Sequence, residues 1–139
     1  MKELESLFET YKNAVYRKDP EAFLSIYADE LQVFDMWGRW SYDGRADWAG
    51  MVTDWFASLG TERDVVTFEE ISVQTSGDLA TATAYMRFAA VNPAGEELRH
   101  LYNRLTWIAR KKNGGWKIVH QHTSVPVDGE TLKAILRRG

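Results

Sequence analysis

From Val65 onward the chain holds a hydrophobic period of two through four long runs: Val65 to Gln74, Ala80 to Val91, Glu97 to Lys111 and Trp116 to Val127. Successive side chains on a strand point to opposite faces, so each run reads as a strand with one inner and one outer set of residues. Between the runs stand only Ser76-Gly77-Asp78, Asn92-Pro93-Ala94-Gly95 and Asn113-Gly114-Gly115, short segments rich in turn formers. Four adjacent strands joined by such turns predict an antiparallel meander. A meander must hide one face.

The first 60 residues supply the cover. Leu4, Leu7, Phe8, Tyr11 and Val15 recur at helical spacing, so residues from about 3 to 17 read as an amphipathic helix. Asp19 can cap a second, short helix that starts at Pro20, where proline's missing N–H costs nothing, and Phe23, Leu24 and Tyr27 fall on one side of it. After Ala28-Asp29-Glu30 the pattern turns to period two through Leu31, Val33 and Asp35, which places an acid among apolar positions. A third helix follows Gly44, with Trp48, Met51, Val52, Trp55, Phe56 and Leu59 as its stripe, and stops at Gly60. Leu132, Ile135 and Leu136 suggest a short closing helix after Asp128. Three helices on one face of a curved, mostly antiparallel sheet make an α+β fold, a cone-shaped roll, expected as a single domain over residues 1–139.

Composition narrows the partners. The formal charge of −3 offers no electrostatic case for nucleic acid or an anionic membrane, although Arg137-Arg138 is locally basic. Cysteine is absent, which removes disulfides, thiolate nucleophiles and cysteine metal sites. Charges spread through the first 19 residues exclude a signal peptide or membrane span there, so a cytoplasmic location is the default expectation. Six tryptophans suit a small fold with a wide, aromatic-lined interior. Neither cofactor nor metal is expected.

The order of capped helix, Tyr27-Ala28-Asp29-Glu30 and strand bearing Asp35 resembles the SnoaL-like and ketosteroid-isomerase-like members of the nuclear-transport-factor-2-like superfamily. The resemblance implies a conical cavity, with Asp35 and Tyr11 at positions similar to the general base and the oxyanion-binding tyrosine of the ketosteroid isomerases. A carboxylate in an apolar cavity has its neutral form favoured, which strengthens it as a base, and a phenol can donate to a developing enolate. Asp35 could equally accept hydrogen bonds from a buried arginine, with Tyr11 as a core residue.

Further along, Ala84-Tyr85-Met86-Arg87-Phe88, Asn103-Arg104-Leu105-Thr106-Trp107 and the segment from Gly115 to Ser124 resemble the association domain of calcium/calmodulin-dependent kinase II. That likeness implies a cavity in which Arg87 and Arg104 bind a small carboxylate, a task that suits a planar fork of donors. Tyr85 and Tyr102, each two residues before an arginine, and Trp37 and Trp48 join them as candidate ligand-binding residues, with Trp40 and Tyr42 walling the opening and His100 at its mouth. His120 and His122 alternate with Gln121 and Thr123 and by period two share a face with Trp116 and Ile118. His120 is counted with the ligand-binding residues and His122 with Asp35 and Tyr11 as catalytic.

If the arginines face the helices, alternation sends Met86, Phe88, Leu105 and Trp107 outward, and an apolar outer face predicts a homodimer. The expected function is a pocket for a small carboxylate- or enolate-bearing molecule. Acid–base chemistry there would make the protein an isomerase, cyclase or lyase. The alternative is a non-catalytic oligomerisation or interaction module with a vestigial cavity.

Overall fold

Asp19 starts the second helix as its sequence suggests: its carboxylate accepts the Ala22 N–H at 3.1 Å, and Pro20 takes the first helical position. The structure, a computed structural model, describes residues 2–138, so the two ends of the expected domain, Met1 and Gly139, lie outside the described residues. The elements run α1 (Lys2–Arg17), α2 (Pro20–Leu24), β1 (Tyr27–Phe34), β2 (Tyr42–Asp43), α3 (Arg45–Ser58), β3 (Arg63–Ser76), β4 (Leu79–Val91), β5 (Glu97–Lys112) and β6 (Gly115–Ser124). The fold is α+β, with the helices on a curved sheet ordered β2-β1-β6-β5-β4-β3. Strands β3 to β6 form the antiparallel meander, and β1 lies parallel to β6. The first and last long strands are therefore neighbours, which brings Asp35, just beyond β1, beside β6.

The helices cover the concave face. Helix α1 buries Leu4, Leu7, Phe8, Tyr11, Ala14 and Val15, and Phe8 stacks on Trp107 of β5 with ring centroids 4.5 Å apart. Large side chains buried in this way each contribute about 1.5–3 kcal/mol. Helix α3 buries Trp48, Val52 and Phe56, whereas Met51, Trp55 and the following Leu59 are only half-buried. Its stripe is wider than the core requires, and the surplus faces a cavity.

Two local expectations need correction. Helix α2 ends at Leu24, and Tyr27, expected on its apolar side, opens β1 instead. The segment after Asp128 forms no helix. Asp128 accepts the N–H groups of Glu130 and Thr131 in a turn, Val127 bridges Ala134, and Tyr102 N–H donates to the Leu136 carbonyl at 2.9 Å. Strand β5 outruns β6 beyond the Arg104 and Ser124 pair, so its free edge takes the chain end as a partner.

A larger correction concerns which residues face in. On β4 the buried residues up to Met86 are Ala80, Ala82, Ala84 and Met86; on β5 the buried set is Asn103, Leu105, Trp107 and Ala109. Arg87 and Arg104 therefore project from the outer face, with Tyr85 and Tyr102. The reverse setting would bury Arg104, Thr106 and Arg110 and expose Trp107, a far costlier exchange than the observed one. On β6 the register slips: His120 pairs with Ile108, but Ile118 pairs with Ala109, leaving Val119 as an extra residue. This β-bulge reverses the alternation. Trp116 and Ile118 are buried before it, and Gln121 and Thr123 after it, so His120 and His122 do not share their face.

Candidate functional site

A cavity of about 600 Å³ opens between the helices and the sheet, its wall formed largely by Trp48, Met51, Trp55, Met86 and Phe88. Polar groups enter it from both the helices and the sheet. Asp35 continues the inward series Leu31 and Val33 by one step past β1. Its carboxylate accepts Thr123 Oγ1–H at 3.1 Å and Trp37 N–H at 3.2 Å, and Thr123 Oγ1 in turn accepts Met36 N–H at 2.9 Å. Burial raises the Asp35 pKa, and these two hydrogen bonds offset only part of that effect.

Tyr11 comes from α1, where its ring lies 4.8 Å from Phe23. Its hydroxyl makes no hydrogen bond among the described residues. Burial first, and then the nearness of Tyr27, Asp35 and Asp64, lifts its pKa well above the ordinary phenol value. Tyr11 thus keeps its proton and stays a donor.

Gln121 and Asn103 face the same space from β6 and β5. Gln121 Oε1 accepts Tyr27 O–H at 2.6 Å and Trp107 Nε1–H at 2.9 Å. An indole N–H can only donate, so the amide orientation is fixed and the Gln121 NH2 group points away from both partners. Asn103 is buried, its Oδ1 has no partner, and its Nδ2 meets only the Met36 sulfur at 3.6 Å. Buried amides are almost always satisfied, so an unpaired one beside a cavity points to a group that completes it.

The expected site residues divide between the two faces. The structure brings Asp35, Tyr11, Trp37 and Trp48 together in the cavity lining, with Tyr42 and His100. Trp40 is 98% exposed and takes no part in that lining. On the outer face, Arg87 forms a two-pronged pair with Glu97 at 3.0 and 2.9 Å, and Arg104 Nε donates to Ser124 Oγ at 3.0 Å. Tyr85 lies beneath Arg138, 3.7 Å from ring centroid to guanidinium carbon, and Tyr102 O–H donates to Glu69 at 3.1 Å. His120 and His122 flank Phe34 edge-on, with ring centroids 5.0 and 5.6 Å from it. Burial and the neighbouring His122 lower the His120 pKa. Among the described residues no group of three or more His, Cys, Asp or Glu could hold a metal ion, and no helix is long and apolar enough to cross a membrane.

The sequence reading passed over Asn103, Gln121, Thr123 and Asp64. A signal for the first three was present: on β5, Asn103 shares parity with Leu105 and Trp107, and Gln121 and Thr123 share parity with each other. What hid the β6 pair was the bulge at Val119, which no pattern of period two contains.

Comparison with known proteins agrees with this architecture. Residues 4–128 match the SnoaL-like domain family. No curated protein matches. A nuclear-transport-factor-2-like protein of unknown function from Pseudomonas putida KT2440 is 27% identical, with 99% of this chain and 94% of that chain covered and a TM-score of 0.87. A Xanthomonas campestris protein provisionally assigned as a calcium/calmodulin-dependent protein kinase II association domain is 18% identical over 88% of this chain and 84% of that one, TM-score 0.73. A nuclear-transport-factor-2-like superfamily protein of Salmonella enterica serovar Typhimurium is 20% identical over 92% of each chain, TM-score 0.73. With the family match spanning most of the chain and the cone of helices and sheet shared with these structures, the chain belongs to the SnoaL-like domain family of the nuclear-transport-factor-2-like superfamily.

Proposed function

We propose that the protein binds a small, largely apolar carbonyl compound in its cavity and transfers a proton on it through an enolate. One observation carries this reading: an open cavity holds a buried carboxylate, Asp35, together with a free phenol, Tyr11, and an unpaired amide, Asn103. In this scheme the Asp35 carboxylate takes a proton from the carbon next to the carbonyl, and the electron pair of that C–H bond moves into the enolate. Tyr11 donates to the enolate oxygen, and the Asp35 proton returns to a different carbon or a leaving group departs. The raised pKa of Asp35 makes it a better acceptor, and that of Tyr11 keeps it a donor. Isomerisation, cyclisation and elimination all share this first step.

A carboxylate ligand held by Arg87 and Arg104 is less well supported, because both lie outside. The cations of the cavity lining among the described residues, Arg99 and Arg137, are exposed at its rim. A vestigial cavity is disfavoured too, since Trp37, Trp48 and Trp55 line the space without filling it. We also propose a homodimer through the outer sheet face, where Phe34, Tyr85, Tyr102 and Ile108 stand among charged residues.

The test is thermal unfolding against enolisable ketones such as cyclohexanone, 1-tetralone and flavanone, followed by deuterium exchange of each bound ketone's α-protons in D2O. A ligand at one hundred times its dissociation constant stabilises the fold by about 2.7 kcal/mol. We expect Asp35→Asn to lose the accelerated exchange and keep binding, Tyr11→Phe to weaken both, and Arg104→Ala to change neither. Binding without exchange reduces the protein to a binder; no shift with any ketone sinks the reading.

A further inference from the structure

A second acid, Asp64, reaches the cavity and has no role in the chemistry above. It lies near the start of β3, opposite Ala90 of β4, which in turn lies opposite Arg99 of β5. Asp35 belongs elsewhere in the lining: its partner Thr123 lies opposite Leu105 of β5. Leu105 and Arg99 are six residues apart, roughly 20 Å of extended strand. The two carboxylates therefore stand toward different ends of the cavity, with Met86 and Phe88 on the sheet between them.

Asp64 is only 9% exposed, yet it is short of donors. Trp55 Nε1–H reaches Oδ2 at 3.2 Å, Oδ1 opens on the cavity with no hydrogen bond among the described residues, and no described cation comes within 4 Å of the carboxylate. The cations whose charge reaches it are engaged elsewhere: Arg99 pairs with Glu62 at 2.5 Å, and Lys18 Nζ donates to the Gly60 carbonyl at 2.6 Å. A carboxylate can accept about four hydrogen bonds, and a buried one is costly unless they are made. Burial accordingly raises its pKa, although Trp55 and Arg99 oppose the shift. A donor arriving with the ligand supplies what the fold leaves out.

We propose that Asp64 forms a second ligand subsite, at the end of the cavity away from Asp35, that accepts a hydrogen bond from a hydroxyl or ammonium group. The ligand class is then an apolar molecule with a carbonyl at one end and a hydrogen-bond donor at the other. This rests on the carbonyl reading of the cavity and extends it to specificity. Two acids in one cavity also disfavour a ligand that carries a negative charge at its donor end.

Three matched compounds test it by calorimetric titration: flavanone, 4′-hydroxyflavanone and 4′-methoxyflavanone, each against the wild-type protein and Asp64→Leu. The expected result is at least tenfold tighter binding of the hydroxyl compound than of the methoxy compound by the wild type. In Asp64→Leu this preference disappears while flavanone affinity is kept. Should that variant fail to fold, the Asp64 carboxyl 13C signal, identified by its absence from Asp64→Asn, moves when 4′-hydroxyflavanone is added and stays in place with flavanone. Equal affinities in the wild type, a preference that survives in Asp64→Leu, or an unmoved carboxyl signal overturns the subsite and leaves the carbonyl reading standing. Failure of all three to bind also overturns the subsite, and the ketone panel then decides separately whether the carbonyl reading falls with it.

Discussion

The two faces of the same sheet treat polar residues in opposite ways. Outside, charge finds countercharge: Arg87 meets Glu97, and Arg138 meets Glu69 and Glu70. Inside, among the described residues, Asp35 and Asp64 have no ion pair, Tyr11 has no hydrogen-bond partner, and Asn103 keeps an unpaired oxygen. Water can replace any outer partner at little cost, whereas the inner groups meet it only through the mouth of the cavity. The difference teaches where to look for a ligand. A ligand would find unanswered polar groups where they are buried and incomplete, not where charge is most abundant.

The largest effect that sharpens the contrast comes from Gln121, which completes two inner donors. Gln121→Leu strands the Tyr27 hydroxyl and the Trp107 indole N–H, each costing about 1–3 kcal/mol, and urea unfolding should show a loss of that order for each. A loss below 1 kcal/mol in total would mean that the inner face tolerates unpaired groups as the outer one does.

A smaller effect follows from the inner acids. A carboxyl whose pKa is raised on folding binds more protons in the folded state, so its ionisation costs stability as pH climbs from the unfolded to the folded pKa. That cost is absent well below the unfolded value and complete above the folded one. Asp35→Asn should therefore raise the melting temperature relative to wild type at pH 7.5, with the gain shrinking toward pH 3. A gain that is the same at both pH values contradicts the assignment.

The smallest effect on stability belongs to the outer face. Arg104→Ala loses one hydrogen bond to Ser124 at an exposed site, and the unfolding midpoint should hardly move. Sedimentation velocity on the same variant tests the proposed dimer. A monomeric wild type removes that proposal, and a variant with a lower dimer fraction places Arg104 in the interface.

Much of the fold could be read from periodicity, because helix and strand patterns follow directly from which side chains must leave water. Asp35 was readable for the same reason, since Leu31 and Val33 set its parity. The inner face of β4 and β5 was readable as well: Asn103, Leu105, Trp107 and Ala109 are plainly more apolar than Arg104, Thr106, Ile108 and Arg110. The likeness to the kinase association domain, which implies inward arginines, pointed the other way, and the cost of burying two guanidinium groups decided the matter. Asp64 escaped notice because an acid near a strand's start looks like any edge residue until α3 and Trp55 close over it. The register of β6 was beyond reach, since a bulge is settled by pairing with both neighbouring strands.

The extra residue at Val119 decides which side chains β6 gives to the cavity. Pairing the same sequence without the bulge would turn His120 and His122 inward and send Gln121 and Thr123 to the solvent side. Deleting Val119 would instead restore unbroken alternation with every face unchanged, because Ile118 and His120 already occupy consecutive pairing positions on β5. The amide-and-hydroxyl wall thus depends on one unpaired residue whose own side chain contributes nothing to it.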